Sequence, residues 1–400
     1  MMQLLITDIG FDGEGVGRVD DKVCFVRFAL LGEKVEVEPY QVHLKYIKTK
    51  LINIIQPSDK RIQPPCPYFA KCGGCDFQHL GYQDELSIKK EILLRQLKKL
   101  GLDISIKVNA SPKEFFYRNK VKMFSTEDGL AFHSAFDNSL VKIKKCLIAS
   151  QQINKTVELL SQFLQKHNLL GKTEFVEIKE IDKTIVVNLF VKQALNADFN
   201  DFIKDFDCKI YIFQTENKQI RFIVGSDSCC RYAPNSFRQV NDDVAALLYQ
   251  KVCSFAQNKT IANCYSGAGI LSKMLLESGA KKVFGLELWQ SEHNDAQSLK
   301  KQCKLSSMQN IQGDCAHTLP TIKDKVDLIV VDPPRAGCSK KVIQSINESS
   351  AAELVYISCN HASFARDIDR LNNFKLDQIE LYDMFPKTAN FEIFAHLYRI

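Results

Sequence analysis

Residues 260–269 read TIANCYSGAG, and this stretch decides the fold class of the C-terminal part of the chain. A strand-like apolar run ends in a turn that contains Gly267 and Gly269, and a helical pattern follows. Glycines at such a turn allow a ligand to approach the backbone at the N-terminus of the helix. From about residue 230 onward, strand-like runs alternate with helical runs, which is typical of a parallel, doubly wound sheet. The sequence therefore predicts an α/β, Rossmann-like domain over residues 229–400.

The strand-like runs after this turn end in or lead into acidic residues. The second run ends at Glu287, 18 positions after Gly269, where such folds bind ribose hydroxyls. The third ends at Asp314, and the fourth leads into Asp332 and two prolines that stiffen the loop. Because ligands bind at the carboxyl ends of parallel strands, this pattern predicts an adenosine-containing cofactor at one edge of the sheet.

A fifth strand-like run brings a cysteine to the same edge. Residues 355–361 read VYISCNH, and the apolar run stops at Cys359. A thiolate in this position can act as a nucleophile, although most free cysteines simply pack in a core. Glu392 begins the last apolar run. A charge there is unusual unless it faces a site, and the alternative is a charge that protects a sheet edge.

The N-terminal part of the chain has a different pattern. Residues 1–57 alternate apolar and polar positions between glycine-rich turns, which predicts a small β-barrel of the oligonucleotide-binding type. The turn at residues 10–18 reads GFDGEGVGR and lacks the lysine and the helix of a phosphate loop. Basic and aromatic residues interleave over residues 40–50. That mix suits phosphates and bases, although a charged strand can equally be a solvated edge.

Residues 58–228 are predicted to form a central α+β domain that carries a cysteine cluster. Cys66, Cys72 and Cys75 lie on one loop rich in proline and glycine, and Cys146 is the best candidate for a fourth ligand. Thiols spaced so closely on one loop can bind a soft metal centre. Zinc and an iron–sulfur cluster both fit four thiolates, and the spacing does not separate them.

Composition sets broader limits. The chain has 400 residues, 45% of them hydrophobic, which is enough for more than one core. It shows no secretory signal and no apolar run long enough for a membrane span, so we expect a cytoplasmic monomer with no membrane partner. In that compartment the 14 cysteines are not expected to form a disulfide framework. The net charge of +6 permits an anionic partner without requiring one.

Taken together, these residues resemble the S-adenosylmethionine-dependent RNA uracil-5-methyltransferases, especially the bacterial enzymes that act on 23S ribosomal RNA. The resemblance covers essentially the whole chain. It implies a class I methyltransferase domain preceded by an OB-like TRAM domain, with Cys66, Cys72, Cys75 and Cys146 as ligands of a 4Fe-4S cluster. Residues 235–241, NSFRQVN, are similar to the motif whose glutamine binds the cofactor. The implied cofactor-binding residues are Gln239, Tyr265, Gly267, Gly269, Glu287, Asp314 and Asp332.

The resemblance also implies a mechanism. Residues 358–360 match the nucleophile motif, and Glu392 matches the catalytic base. Addition of the Cys359 thiolate to carbon 6 of uracil makes carbon 5 nucleophilic, and Glu392 then removes the carbon 5 proton. The expected partner is RNA, and 23S ribosomal RNA in particular, because the transfer-RNA branch generally lacks both the TRAM domain and the cluster.

The chain departs from the family pattern at a few positions. His361 stands where the nucleophile motif usually has proline, Asn390 and Phe391 replace histidine and valine before the base, and Asn263 replaces an aspartate in the cofactor turn. None of these positions carries a reacting group.

Other functions remain open at this stage. One alternative is a transfer-RNA uridine-5-methyltransferase, and another is an RNA-binding assembly factor without catalytic activity. A methyltransferase that acts on amino groups is a further alternative, because Asp332 is followed by two prolines. Such enzymes usually place an aromatic residue next, whereas this chain has Arg335.

Overall fold

A computed structural model describes residues 2–193, 199, 203, 208–216, 219–225 and 238–400. The chain forms two compact units. The first consists of Met1–Lys89, Lys113–Ser228 and Phe385–Ala389. The second consists of Lys90–Pro112, Cys229–Met384 and Asn390–Ile400.

The first sheet of unit one is built from the N-terminal residues. Its strands are β1 (Met2–Leu5), β2 (Asp8–Ile9), β3 (Gly15–Val19), β4 (Lys22–Val26), β5 (Lys34–Val42) and β6 (Tyr46–Gln56). They lie in the order β1-β5-β6-β4-β3-β2. Alternate side chains form a core that includes Val26, Val35 and Val37. Gly17 allows β3 to pack closely, because a Cβ there would lie 2.2 Å from Leu4. The predicted small N-terminal β-domain is thus confirmed.

The second sheet of unit one has seven strands in the order β10-β9-β8-β11-β12-β13-β14. Their bounds are β8 (Lys120–Thr126), β9 (Gly129–His133), β10 (Leu140–Lys142), β11 (Thr173–Ile181), β12 (Thr184–Val191), β13 (Cys208–Glu216) and β14 (Gln219–Gly225). Helix α1 spans Tyr82–Lys99, and α2 spans Gln151–Lys166 and is capped by the Ser150 hydroxyl. Apolar residues of α2 at helical spacing, such as Ile153 and Leu160, pack into the core with this sheet.

Unit two contains an eight-stranded sheet in the order β17-β16-β15-β18-β19-β21-β20-β7. The strands are β7 (Lys107–Asn109), β15 (Thr260–Cys264), β16 (Lys282–Glu287), β17 (Met308–Gln312), β18 (Leu328–Val331), β19 (Glu353–Ser358), β20 (Phe374–Tyr382) and β21 (Glu392–Arg399). Strands β15 to β19 run parallel, and β21 pairs antiparallel with both β19 and β20. Central strands such as β18 are buried along their whole length, as expected for a sheet covered on both faces.

The helices of unit two alternate with these strands. They are α3 (Asp242–Cys253), α4 (Ile270–Glu277), α5 (Gln290–Gln302), α6 (Cys315–Thr318), α7 (Lys340–Glu348) and α8 (His361–Arg370). Each parallel strand is thus followed by a helix, and the turn after the strand lies at the carboxyl edge of the sheet. The predicted doubly wound α/β architecture is confirmed.

Some predicted boundaries differ from those observed. The third strand of the cofactor domain was predicted over residues 310–314 but is Met308–Gln312, so Asp314 lies after the strand. The short strand β7 was not predicted. The division into domains at residues 1–57, 58–228 and 229–400 stays a prediction, because its second boundary falls outside the described residues. The two compact units also assign residues 90–112 and 385–389 differently from that division.

Candidate active site and cysteine cavity

The turn after β15 has a backbone that ordinary residues rarely adopt. Tyr265 has a φ of 60°, Gly267 of 54° and Gly269 of 83°. Only glycine fits easily at the last position, because a Cβ there would lie 2.7 Å from the Met308 Cε atom. Strain held in a non-glycine residue such as Tyr265 is characteristic of ligand-binding turns. The turn before α4 therefore has the strained, glycine-dependent backbone that is expected of a ligand-binding turn, and its contact with a cofactor stays a prediction.

The carboxylate of Glu287 organises this turn. One oxygen accepts a hydrogen bond of 2.8 Å from the Gly267 amide, and the other accepts one of 2.8 Å from the Trp289 amide. The carboxylate oxygens retain lone pairs that could accept hydrogen bonds from ribose hydroxyls. Trp289 is the only tryptophan of the chain, and 67% of its surface is exposed beside this carboxylate.

Further polar groups at this edge were partly predicted. Asp314 caps α6 by accepting a hydrogen bond of 2.8 Å from the Ala316 amide. The Ser266 hydroxyl and the Asn310 amide group are buried and have no hydrogen-bond partner among the described residues. A Cβ on Gly285 would meet both of them at 3.1 and 3.0 Å, so the two side chains converge over that glycine. Sequence reasoning missed Ser266 and Asn310, because nothing in their local pattern distinguishes them from structural residues.

The nucleophile candidate lies in a tightly held turn. Strand β19 ends at Ser358, and the half-buried Cys359 follows. The side-chain oxygen of Asn360 caps α8 by accepting hydrogen bonds of 2.9 Å from the amides of Ala362 and Ser363. The Ser358 hydroxyl donates to the Asn360 carbonyl at 3.1 Å. The residues on both sides of Cys359 therefore fix its backbone.

The sheet register brings Cys359 and Glu392 together. In the antiparallel pairing of β19 with β21, Ser358 lies opposite Ile393. The next residue along β19 is Cys359 and the preceding residue of β21 is Glu392, so the two are neighbours across the ladder. Glu392 is 2% exposed, and its Oε2 atom has no hydrogen-bond partner among the described residues. Such an oxygen is available to a substrate atom.

Four charged or ionisable side chains share this environment. The pKa of Cys359 is raised to about 11, chiefly by burial and also by the charges of Glu392 and Asp332, while the charge of Arg335 opposes the rise. Burial and the nearby Asp332 also raise the pKa of Glu392 well above its usual value. Burial raises the pKa of Asp332 to about 6. Two carboxyl groups and a thiol thus lie within electrostatic range of one another, which is characteristic of a functional site.

Helix α3 and the segment before it contribute two more residues. Gln239 is buried, and its side chain forms a hydrogen bond with Tyr249. The pKa of Tyr249 is raised by burial and by the charges of Asp332 and Glu392. The rest of the predicted cofactor motif, residues 235–237, lies outside the described residues. Tyr249 was not predicted, because its position in a helix carries no chemical signal.

Three of the side chains that depart from the family pattern form hydrogen bonds. The Asn263 amide donates to the Ser272 hydroxyl at 2.9 Å, and the Asn390 oxygen accepts a hydrogen bond of 2.6 Å from Arg335. His361 shares a hydrogen bond of 3.0 Å with Gln96. These substitutions therefore preserve a bonded local structure around the candidate catalytic pair.

The four predicted metal-binding cysteines line one cavity in unit one. The cavity has a volume of about 360 Å³, and its cysteines are Cys66, Cys72, Cys75 and Cys146. All four thiols are free and partly exposed. Burial raises the pKa of Cys72, Cys75 and Cys146, and the negative charge of neighbouring cysteines adds to this effect in each case. The fold therefore brings Cys146 to the loop that carries the other three.

The lining of this cavity favours an anionic group. Its charged side chains are all basic, namely Arg27, Arg118, Lys122 and Lys145. Among the described residues, no three His, Cys, Asp or Glu side chains are arranged so that they could hold a single metal ion. Zinc and an iron–sulfur cluster both take four thiolate ligands, so the lining of the cavity does not distinguish them.

Comparison with known proteins agrees with this geometry. Residues 321–400 match the family model described as tRNA (Uracil-5-)-methyltransferase, and residues 1–52 match the TRAM domain model. An uncharacterized RNA methyltransferase of Clostridium tetani is 29% identical over 97% of this chain and 94% of its own length. Another, from Clostridium acetobutylicum, is 28% identical over 100% of this chain and 97% of its own length.

A solved structure extends the similarity to the whole fold. It is the Pyrococcus abyssi tRNA (uracil-54, C5)-methyltransferase in complex with S-adenosyl-L-homocysteine. The TM-score is 0.83, the identity is 24%, and the alignment covers 99% of this chain and 100% of the other. The comparisons support the RNA uracil-5-methyltransferase family with an N-terminal TRAM domain, and they confirm the predicted class of enzyme, an S-adenosylmethionine-dependent RNA methyltransferase. In the described part of the chain, no helix is both long and apolar enough to cross a membrane.

Proposed function

We propose that this protein methylates carbon 5 of a uridine in 23S ribosomal RNA through a covalent adduct between Cys359 and the uracil ring. The observation that carries the proposal is the register of β19 and β21, which sets Ser358 opposite Ile393 and so makes Cys359 and the buried Glu392 the next residues along the two chains. A thiol and a carboxyl group in this position supply the two groups that methylation at carbon 5 needs, a nucleophile and a base. A protein that only binds RNA would need neither.

The reaction has two stages. The Cys359 thiolate adds to carbon 6 of uracil, which gives carbon 5 the electron density to form a bond with a methyl group. Bound S-adenosylmethionine supplies that methyl group from its sulfonium centre. Glu392 then takes the proton from carbon 5, the bond between Cys359 and carbon 6 breaks, and the thiolate is restored with 5-methyluridine as the product.

The electrostatics suit these roles. The raised pKa of Glu392 favours its protonated form in the ligand-free protein, and a positive charge nearby, such as that of Arg335, favours the carboxylate that can accept a proton. Cys359, with a pKa of about 11, is mostly a neutral thiol in the ligand-free protein. A positive charge beside it favours the thiolate, and Arg335 already acts in that direction. The carboxyl group of Asp332 also acts electrostatically on Cys359, and its negative charge would favour a cationic ligand nearby.

The cofactor would be held at the carboxyl edge of the sheet. Glu287 would accept hydrogen bonds from the ribose, and the glycines of the strained turn would allow the ligand to approach the backbone closely. The residues proposed to contact the cofactor are Gln239, Tyr265, Gly267, Gly269, Glu287, Asp314 and Asp332.

The proposed ligands of a 4Fe-4S cluster are Cys66, Cys72, Cys75 and Cys146. Such a cluster would place inorganic iron and sulfide between the four thiolates. The basic lining would offset the negative charge of these ligands, and Arg27 already acts against the pKa rise of Cys72. The four cysteines would thereby hold the cluster within unit one.

Two RNA substrates are compatible with the fold. The Pyrococcus abyssi enzyme acts on transfer RNA and shares the architecture over the whole chain. Domain organisation therefore does not distinguish the two substrates. The preference for 23S ribosomal RNA rests on the four cysteines at the positions where the ribosomal members of the family bind their cluster. Transfer-RNA methylation is the second candidate.

The proposal can be tested with the purified protein and S-adenosylmethionine. Unmodified 23S ribosomal RNA and unmodified transfer RNA are supplied separately, and 5-methyluridine is mapped by mass spectrometry of nuclease fragments. We expect product in the ribosomal RNA alone, and no product with Cys359→Ala. Product in transfer RNA alone would favour the second candidate. Full activity of Cys359→Ala, or no product in either RNA, would contradict the proposed chemistry.

A further inference from the structure

The connection between β20 and β21 leads directly to Glu392. Its central part, Phe385–Ala389, belongs to unit one, whereas the chain on either side belongs to unit two. We call Phe385–Ala389 the anchored segment. It ends three residues before Glu392, the first residue of β21. Asn390 and Phe391 are the two residues between the anchored segment and Glu392.

The cysteine loop holds one side of the anchored segment. The Lys387 carbonyl accepts hydrogen bonds of 2.8 and 3.0 Å from the amides of Asp76 and Phe77. The Ala389 amide donates a bond of 3.1 Å to the Asp76 carboxylate. The other oxygen of that carboxylate forms an ion pair of 2.8 Å with Arg27. Asp76 directly follows Cys75, so the loop that carries the cysteines also carries this anchor.

Helix α1 and its surroundings hold the other side. The buried Glu85 carboxylate accepts a hydrogen bond of 2.7 Å from the Lys387 amide. The buried Lys89 ammonium group bonds to Glu85 at 2.7 Å and donates to the Phe385 carbonyl at 3.2 Å. The Tyr117 hydroxyl donates to the Pro386 carbonyl at 3.0 Å. Backbone groups along the whole anchored segment are therefore bonded within unit one.

These contacts hold the segment in an unusual conformation. Lys387 has a φ of 67°, a conformation that side-chain-bearing residues rarely adopt. Its side chain is 4% exposed, and the ammonium group lies 2.6 Å from Glu114 and 3.4 Å from Glu85. Buried ion pairs with many hydrogen bonds add little stability compared with apolar packing, so stability alone does not account for this network. A connecting loop needs no such network to close a hairpin.

We propose that Asp76 is a positioning residue for the catalytic base and sets the place of Glu392 by holding the Ala389 amide. This inference rests on the proposed function, because it assigns a purpose to the anchored segment only if Glu392 is the base. Asp76 does not touch the reacting atoms. It acts through three peptide bonds that join Ala389 to Glu392.

The reaction separates this role from a general effect on folding. Addition of Cys359 to carbon 6 and methylation of carbon 5 do not require Glu392 to accept a proton. Removal of the carbon 5 proton and release of Cys359 do. A displaced base should therefore leave methylated RNA attached to Cys359. A protein that is merely unfolded should form neither adduct nor product.

The experiment compares purified, full-length variants of the protein. The iron content of each variant is measured as well. In Asp76→Ala we expect turnover to fall at least about tenfold while the fraction of protein in a denaturant-stable RNA adduct rises several-fold. Glu392→Gln should show the same adduct with less turnover still. Asp76→Asn keeps an oxygen that can accept the Ala389 hydrogen bond, so we expect it to stay within about threefold of the wild type.

A second measurement needs no substrate. The amide hydrogen of Ala389 should exchange about tenfold faster in Asp76→Ala than in the wild type, because its acceptor is gone. The matched control is Asp128→Ala, which removes another carboxylate of unit one that is paired with a lysine, Lys142, at 2.8 Å. We expect wild-type turnover, adduct level and Ala389 exchange in this control.

Some outcomes would overturn the inference. The inference would be wrong if Asp76→Ala turned over as fast as the wild type. It would also be wrong if this variant lost adduct and product together, or if its loss of turnover were explained by a loss of iron. If the wild type makes no 5-methyluridine and Glu392→Gln makes no adduct, the proposed function fails first. If both of those behave as expected and only Asp76→Ala does not, the inference alone fails.

Discussion

The two cysteine sites of this protein differ in what surrounds the thiols. In unit one, four cysteines line a cavity whose charged residues are all basic. In unit two, Cys359 stands beside the carboxyl groups of Glu392 and Asp332. Burial raises thiol pKa values at both sites. The neighbours, and not the thiol itself, therefore decide the chemistry.

The two environments suit different ligands. In unit one, the four cysteines could supply the thiolate ligands of an iron–sulfur cluster, and the basic side chains would offset the negative charge of those ligands. A thiol among carboxyl groups suits a cationic ligand, and the proposed reaction needs a proton acceptor, the role that we propose for Glu392. The predictions below alter one site at a time or measure its response to pH and to ligands.

Replacing the nucleophile should have the largest effect. In Cys359→Ser we expect 5-methyluridine formation to fall by more than about a thousandfold, because serine is a far weaker nucleophile toward carbon 6. Iron content should equal that of the wild type. Loss of iron in this variant would mean that the two sites are not independent.

Replacing a cluster ligand should give the reciprocal result. In Cys146→Ser we expect iron to fall at least several-fold from about four atoms per chain, together with the absorbance near about 400 nm. The matched control is Cys303→Ser, at a half-buried cysteine outside both sites, which should keep full iron content. Zinc in place of iron in the wild-type protein would contradict the cluster.

The raised pKa of Cys359 predicts how its reactivity depends on pH. The thiolate is the reactive form, so alkylation of Cys359 by iodoacetamide should rise about tenfold per pH unit between about pH 7 and 9, below its pKa of about 11. The rate is read from the Cys359 peptide by mass spectrometry. A flat profile would show that the thiol is already ionised.

The charge of a bound ligand should change how fast Cys359 is alkylated at a given pH. S-adenosylmethionine is cationic, whereas S-adenosylhomocysteine lacks the sulfonium charge and has nearly the same shape. At one pH we expect alkylation of Cys359 to be about three- to tenfold faster with the cationic ligand bound. Equal rates with the two ligands would mean that the sulfonium lies out of range of the thiol.

The smallest expected effect concerns Trp289. Because the chain has a single tryptophan, exposed beside Glu287, its fluorescence should change by tens of per cent when S-adenosylmethionine binds. Trp289→Ala should weaken binding about three- to tenfold, and Trp289→Phe should largely preserve it. Unchanged fluorescence at saturating ligand would place the adenosine elsewhere.

The parallel sheet was largely predictable from the sequence. Buried parallel strands are continuous apolar runs, and each is punctuated by a polar residue or a glycine at its carboxyl end. Glu287, Asp332 and Cys359 were found for that reason. Strand β7 was missed, because its three residues are too few to show a period.

Other residues of the candidate site could not be predicted from the sequence around them. Ser266, Asn310 and Tyr249 look like ordinary structural residues until the fold places their polar groups near the candidate site. The anchored segment was likewise unpredictable, because its partners Asp76 and Glu85 lie about 300 positions earlier in the chain. Pairings over such distances depend on tertiary packing and not on periodicity.

The amino-acid sequence alone specifies the alternation of strands and helices, the glycine turn and the residue types at each strand end, because these follow from local periodicity and backbone freedom. The folded chain decides which of these residues meet. Cys359 and Glu392 are 33 positions apart, and the register of β19 and β21 brings them next to each other. Cys146 joins the cysteine loop in the same way, through the packing of unit one. Long-range register and packing are properties of the whole core, and no single stretch of sequence contains them.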